Sequence, residues 1–431
     1  MDEPVRPNSP PNPEDVPFVF PVEDPILRPD KPGSASQSAF WIGLFGFCLV
    51  YGYLLTVGGE VGRIAAAGLE SIPFLLLAVL AYGGNRQGWL RVITGIYWVL
   101  LVGAVAAGAW LLTVVGMFDW SKAALLSDPT MKPGRDYNLP DLFRPGSVQV
   151  LGLSLLCLVA AFSLGAICFL AAVRRFFANL VPMNAESFVH ATALATVVGL
   201  TLISFVPLGI LGEPPLLRLL KQVAEQKAAP DWSESIQLRD QIYSLLWLVP
   251  AAIIAAGYPQ SRTFRQTMVR VGLVSPRRWQ ILLAVGAAAG LVWGMLGFEF
   301  GITSLWKKMD WPETDAKAFN DMMRFAINPI GAVIVGVVAG LGEELGIRGV
   351  LQPRMGIVLS NLFFTSLHAF QYNFDGLASV FLIGLVLGVI RKYTNTTTSA
   401  MVHGLYDGLL IEFAYLQLPG FTQEAWILTT W

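Results

Sequence analysis

Charge is what this chain has least of. Only 14% of its 431 residues are Asp, Glu, Lys or Arg, where a soluble domain carries about 25%. Mean hydropathy is strongly positive. So apolar a chain cannot cover a water-facing surface, which excludes a soluble enzyme and, outside one end, a disordered protein. Cysteine is scarce too. Cys48, Cys157 and Cys168 all lie in apolar runs. An odd count placed there is no disulfide framework, and small apolar packing residues are expected. Net charge is −1, and no basic patch points to nucleic acid. The apolar runs are continuous rather than alternating, which argues against an outer-membrane barrel. No internal repeat of fixed period is visible.

What is present divides into a tail and a series of apolar runs. Ten prolines fall within the first 33 residues, mixed with acidic and small polar residues. Residues 1–36 are therefore expected to be a disordered, cytoplasmic, Pro-rich tail. The tail lacks the basic start and apolar run of a signal peptide. A bilayer span needs about 20 mostly apolar residues. Such runs stand near 38–58, 63–83, 90–117, 148–173, 185–212, 242–258, 279–303, 330–355, 357–372, 376–391 and 397–417. The expected fold is all-α: a polytopic membrane helical bundle of about eleven transmembrane helices. The ninth and tenth runs are short and should be buried among other helices.

Basic residues in the short loops set the orientation. Arg262, Arg265, Arg270, Arg277 and Arg278 mark one loop as cytoplasmic. Arg174 with Arg175, Arg86 with Arg91, and Arg391 with Lys392 fall on the same side if eleven spans alternate. The amino terminus is then cytoplasmic and the carboxyl terminus outside, in the cell (inner) membrane. Longer loops near 118–147 and 213–241 fall opposite, and the stretch from Pro214 to Gln226 has the spacing of a helix lying on the membrane surface. Gly286, Gly290 and Gly294, Gly336 with Gly340, and Gly384 with Gly388 repeat every four residues, a spacing that lets helices approach closely.

Polar residues within the runs are expensive and therefore informative. No charge occurs from Gly331 to Gly342; then come Glu343 and Glu344, with Arg348 four residues after the second. At 1.5 Å per residue, Glu343 is about 20 Å from the outer start of its helix, near mid-bilayer. Glu344 and Arg348 share a face and can neutralise one another, which leaves Glu343 without a partner in its own helix. Gly349 would let another element come close. Only three histidines occur. His368 shares a face with Phe364, and His403 shares one with Asp407. Glu343, His368 and His403 fall at overlapping depths, about 18, 16 and 10 Å from the cytoplasmic ends of their runs. Asp407 could take a ring proton of His403 or point at substrate. His190 is expected to bond between helices, and Glu70 and Glu299 to be packing or snorkelling residues.

Glu-Glu-x-x-x-Arg, Phe-x-x-x-His and His-x-x-x-Asp on successive membrane helices resemble the CPBP family. These are the CAAX prenyl proteases and bacteriocin-processing enzymes, also called Abi. The likeness covers about 330–417, and the stretch from Arg270 to Trp279 looks like the family's entry into its core. Residues 37–260 form amino-terminal helices of unknown role, and 261–431 the protease-like core. Ile347 stands where Phe is frequent, the connector from Arg348 to Phe364 is short, and Asp407 stands where others have Asn. The resemblance implies an intramembrane glutamic endopeptidase without cofactor. Glu343, His368, His403 and Asp407 would be catalytic, supported by Glu344, Arg348 and Phe364. The substrate would be a membrane-anchored or lipid-modified peptide or protein, CAAX-like or a leader peptide, in contact with the bilayer. Glu, His and His could instead hold zinc with a water in the fourth position, although His-Glu-x-x-His is absent. A family member without turnover, or a transporter with an intramembrane Glu/His proton or ion site, are the non-enzymatic alternatives.

Overall fold

The computed structural model describes residues 34–119, 122, 142–225 and 234–418. Most of the proline-rich tail, 1–33, lies outside the described residues, as do parts of the two long loops. Apart from an isolated bridge between Phe118 and Phe143, regular structure among the described residues is helical. The chain forms an all-α polytopic bundle.

The first half contains α1 (Ser34–Leu54), α2 (Gly59–Ala67), α3 (Ile72–Gly84), α4 (Gly88–Met117), α5 (Ser147–Ile167), α6 (Ala171–Ala178), α7 (Phe188–Leu211), α8 (Pro215–Glu225) and α9 (Glu234–Ala255). The second contains α10 (Phe264–Val271), α11 (Arg278–Met309), α12 (Ala316–Met323), α13 (Pro329–Val337), α14 (Gln352–Leu367), α15 (Phe374–Tyr393) and α16 (Thr396–Tyr415). Between α13 and α14 the chain widens into two π-helical turns, Val338–Glu343 and Leu345–Leu351.

Each of the eleven apolar runs coincides with helix. Among the described residues, seven helical runs are long and apolar enough to cross a membrane, and an eighth arises if Gly59–Glu70 and Ile72–Gly84, bent by 51°, make one span. Phe40–Leu54 is shorter. The run Pro329–Phe370 is 42 residues long, but Gly356 interrupts it with φ 68° and ψ 176°. That left-handed backbone suits glycine, and it separates the expected eighth and ninth spans. α16 carries His403, Tyr406 and Asp407 on a buried face, so its polarity is met by protein rather than lipid.

Asparagines start the core helices. Asn328, Asn373 and Asn395 cap α13, α15 and α16 by accepting backbone N–H bonds, satisfying donors that a helix start leaves open. The basic loop is tied to the start of α16: Thr396 donates to the Val271 carbonyl at 2.5 Å, and Thr397 N to that of Gly272 at 3.2 Å. At the other end, Asp375 accepts from Thr314 N at 2.9 Å and Thr314 Oγ1 at 2.6 Å, and Asn373 Nδ2 donates to Gly212 O at 3.2 Å. α8 carries Arg218, which pairs with Glu213 at 2.7 Å, and Lys221, which pairs with Asp315 at 2.6 Å.

α3, α4, α5 and α7 pack as one group; α11, α13, α15 and α16 pack as another. α14 lies against α7, and α9 against the π turns, so the halves share contacts. The glycine repeats behave differently from one another. A Cβ on Gly340 would sit 2.5 Å from the Ala400 carbonyl oxygen, and one on Gly336 2.5 Å from that of Gly404. Those glycines bring the first π turn and α13 against α16. Gly286, Gly290 and Gly294 have nothing within 4 Å of an added Cβ: they serve no close approach among the described residues.

Candidate active site

The site is built on the π turns, α14 and α16. Both glutamates belong to a stretch with glycines at 340, 342, 346 and 349. Single π turns inside α-helices recur at functional sites. Gly349 also meets the Val271 carbonyl, 3.1 Å from an added Cβ, so α10 closes on the back of the second turn.

Glu344 is fully buried and meets three partners. Arg348 Nη1 lies 2.8 Å from its Oε1, forming the pair expected from their spacing. His403 Nδ1 reaches the same oxygen at 3.1 Å. The Ser399 hydroxyl donates to Oε2. A buried carboxylate is tolerated only when it is paired and hydrogen-bonded in this way. Arg348 is 1% exposed; its Nη2 donates to the Gly384 carbonyl at 3.1 Å, and its guanidinium lies 4.5 Å from the centre of the Phe364 ring.

Phe364 is the hub of this arrangement. Its ring stands edge-on to His368 at 4.7 Å and to His403 at 6.3 Å. One aromatic side chain thus touches the arginine and both histidines, in the edge-to-face geometry that rings favour. His368 Nδ1 lies 3.0 Å from the Phe364 carbonyl oxygen. A carbonyl only accepts, so Nδ1 carries the proton and Nε2 of the neutral ring keeps its lone pair.

His403 lies between carboxylates. Its Nδ1 faces Glu344, and its Nε2 is 3.3 Å from Asp407 Oδ2. Both Asp407 oxygens are buried without a formed hydrogen bond, so the Nε2 contact is proximity rather than a committed bond. Glu343 contrasts with its neighbour. It is half-buried, its Oε2 has no hydrogen-bond partner, and it lies within electrostatic reach of His403, Arg348 and Asp407. The two adjacent glutamates therefore have different situations, one tied and one open.

All seven residues singled out in the sequence belong to this neighbourhood. Ser399 and the Gly384 carbonyl belong to it as well and were missed. Ser399 stands one turn before His403, and that i, i+4 relation was the available signal. Asn361 was missed too. Its Nδ2 donates to Phe381 O at 2.8 Å, and its Oδ1 occupies the space a Cβ on Gly384 would need. His190 Nδ1 accepts from Asn184 N at 2.9 Å, anchoring the loop ahead of α7. Glu299 is 5% exposed and does not snorkel. Among the described residues, no three of His, Cys, Asp and Glu converge as a metal site would require.

Residues 325–409 match the family model of the type II CAAX prenyl endopeptidases, Rce1-like. The matched stretch contains all three motifs. No curated protein and no solved structure matches the chain.

Proposed function

From the match of residues 325–409 to the family model of the type II CAAX prenyl endopeptidases, Rce1-like, we propose that this protein hydrolyses peptide bonds of membrane-associated substrates with a water activated by Glu343. The observation that carries the reading is the asymmetry of the glutamate pair. Glu344 is held by Arg348, His403 and Ser399, whereas Glu343 Oε2 has no partner. An unpartnered carboxylate oxygen within electrostatic reach of His403 is free to accept a proton.

Glu343 takes one proton from a water oriented by the lone pair of His368 Nε2. The water oxygen bonds to the substrate carbonyl carbon, and the C=O electron pair moves onto oxygen. His403 Nε2–H, when the ring carries both protons, donates to that oxyanion. As the oxyanion collapses, the C–N bond breaks and the leaving amine takes the proton from Glu343. Glu344, Arg348 and Phe364 hold the two histidines in place. Zinc chemistry would be the competing route to an activated water, but Glu343, His368 and His403 do not converge as a metal site would require.

The test is cleavage of quenched, lipid-tailed peptides by the purified protein in detergent, with and without chelator, beside Glu343→Gln. Glu343→Gln is expected to remove cleavage while its unfolding transition stays at the wild-type position, and chelator is expected to change nothing. Wild-type rates in Glu343→Gln would sink the assignment. Loss of wild-type cleavage on chelation, restored by zinc, would move it to metal chemistry.

A further inference from the structure

A serine in a membrane helix ordinarily bonds back to its own backbone. Ser163, Ser304 and Ser360 do so, donating to Val159 O, Phe300 O and Gly356 O at 2.6–2.7 Å. Ser399 does not. It has no exposed surface, and its hydroxyl reaches out of α16 to Glu344 Oε2 and to the Leu387 carbonyl of α15, the latter at 3.1 Å. It has one proton for those two acceptors, and the charged one makes the stronger bond.

Ser399 and His403 lie four residues apart, so their side chains share a face of α16. Together they grip one carboxylate, the serine on Oε2 and the imidazole on Oε1. Arg348 shares Oε1. If the serine is removed, nothing else described donates to Oε2, and the carboxylate can turn about its terminal bond toward the arginine. The imidazole then loses the acceptor that fixes its plane.

We infer that Ser399 is a positioning residue: by pinning Glu344 Oε2 it turns Oε1 onto His403 Nδ1 and aims His403 Nε2 at the substrate carbonyl. This rests on the role given to His403 in the hydrolysis above. Ser399 touches neither substrate nor water; it acts through Glu344.

The three histidines make the test direct. The full chain, labelled with 15N-histidine in detergent, gives few ring signals, which His190→Gln and His368→Gln assign by elimination. In Ser399→Ala the His403 ring signals are expected to move while those of His190 stay. On a cleaved peptide, kcat is expected to fall about tenfold with KM within twofold of wild type, the pattern of a lost transition-state interaction. Ser399→Thr, which keeps the hydroxyl, is expected to restore both. His403 signals and kcat at wild-type values in Ser399→Ala would overturn the inference. So would a kcat loss that Ser399→Thr fails to rescue with His403 unmoved. Should Ser399→Ala not fold, Ser399→Cys keeps the volume with a weaker donor and is expected to give an intermediate shift. If no peptide is cut even by wild type, the hydrolysis reading fails on its own, while the ring signals still decide whether Ser399 orients His403.

Discussion

Replacing Arg348 by Met tests how the buried glutamate is held. The guanidinium is 1% exposed and its partner Glu344 0%. Removing one member of a buried pair costs about 3–5 kcal/mol. Glu344 would keep Ser399 and His403 as donors, which places the loss at the lower end, about 3 kcal/mol. The bond to the Gly384 carbonyl adds about 1 kcal/mol, and the contact with the Phe364 ring about 0.5–1 kcal/mol. The expected total is about 4.5–5 kcal/mol, a large share of the stability of a single domain. Reversible unfolding in mixed micelles of mild detergent and SDS measures it. The informative comparison is the cycle of Arg348→Met, Glu344→Gln and the double variant. The double variant leaves no uncompensated charge and should recover about 2 kcal/mol or more relative to the sum of the single losses. A loss below about 1 kcal/mol in Arg348→Met, or strict additivity in the cycle, would refute the account of Glu344 as a charge that depends on this partner.

Single contacts elsewhere carry their own expectations. Gly340→Ala would set a methyl 2.5 Å from the Ala400 carbonyl oxygen and should lower stability by about 1–3 kcal/mol. Gly290→Ala, with open space around it, should stay within about 0.5 kcal/mol of wild type in the same unfolding assay. Asp315 caps α12 and pairs with Lys221 at 2.6 Å. Partial burial raises its carboxyl pKa, but the Ala318 N–H and Lys221 outweigh this and leave it below the ordinary value. A depressed folded pKa means that this stabilisation is complete above the unfolded value, about 3.9, and is lost as pH falls through the folded one. Asp315→Asn keeps the cap acceptor, so its unfolding midpoint should change less than that of wild type between pH 5 and pH 3; equal changes would contradict the assignment.

The membrane class and the positions of the helices were legible because continuous apolar runs are a one-dimensional signal. The Glu344–Arg348 pair was legible for a similar reason: four residues is one turn, and two opposite charges in an apolar run have little choice but each other. The break at Gly356 fell between two expected spans. The glycine repeats show where reading stops. Spacing alone did not distinguish Gly340, which meets Ala400 of another helix, from Gly290, which meets nothing, because a partner at the facing position is a tertiary fact. The π turns were invisible because no residue pattern demands them; they depend on what α9, α10 and α16 present to that stretch. Ser399 was passed over because a serine in a membrane helix ordinarily needs no partner beyond its own backbone, and only the facing glutamate gives it one.

The widened turns make chain length at 338–351 a specified quantity, separate from residue identity. A π turn closes its bonds one residue later than an α turn. Deleting a single residue there would let the helix fall back to the ordinary period, rotating the upstream segment by roughly 100° relative to the downstream one. Every functional side chain would still be present in the sequence, yet Glu343 and Glu344 would no longer face His403. Substitutions across this stretch can be absorbed one contact at a time; a change of one residue in its length cannot, because it moves the whole upstream register at once.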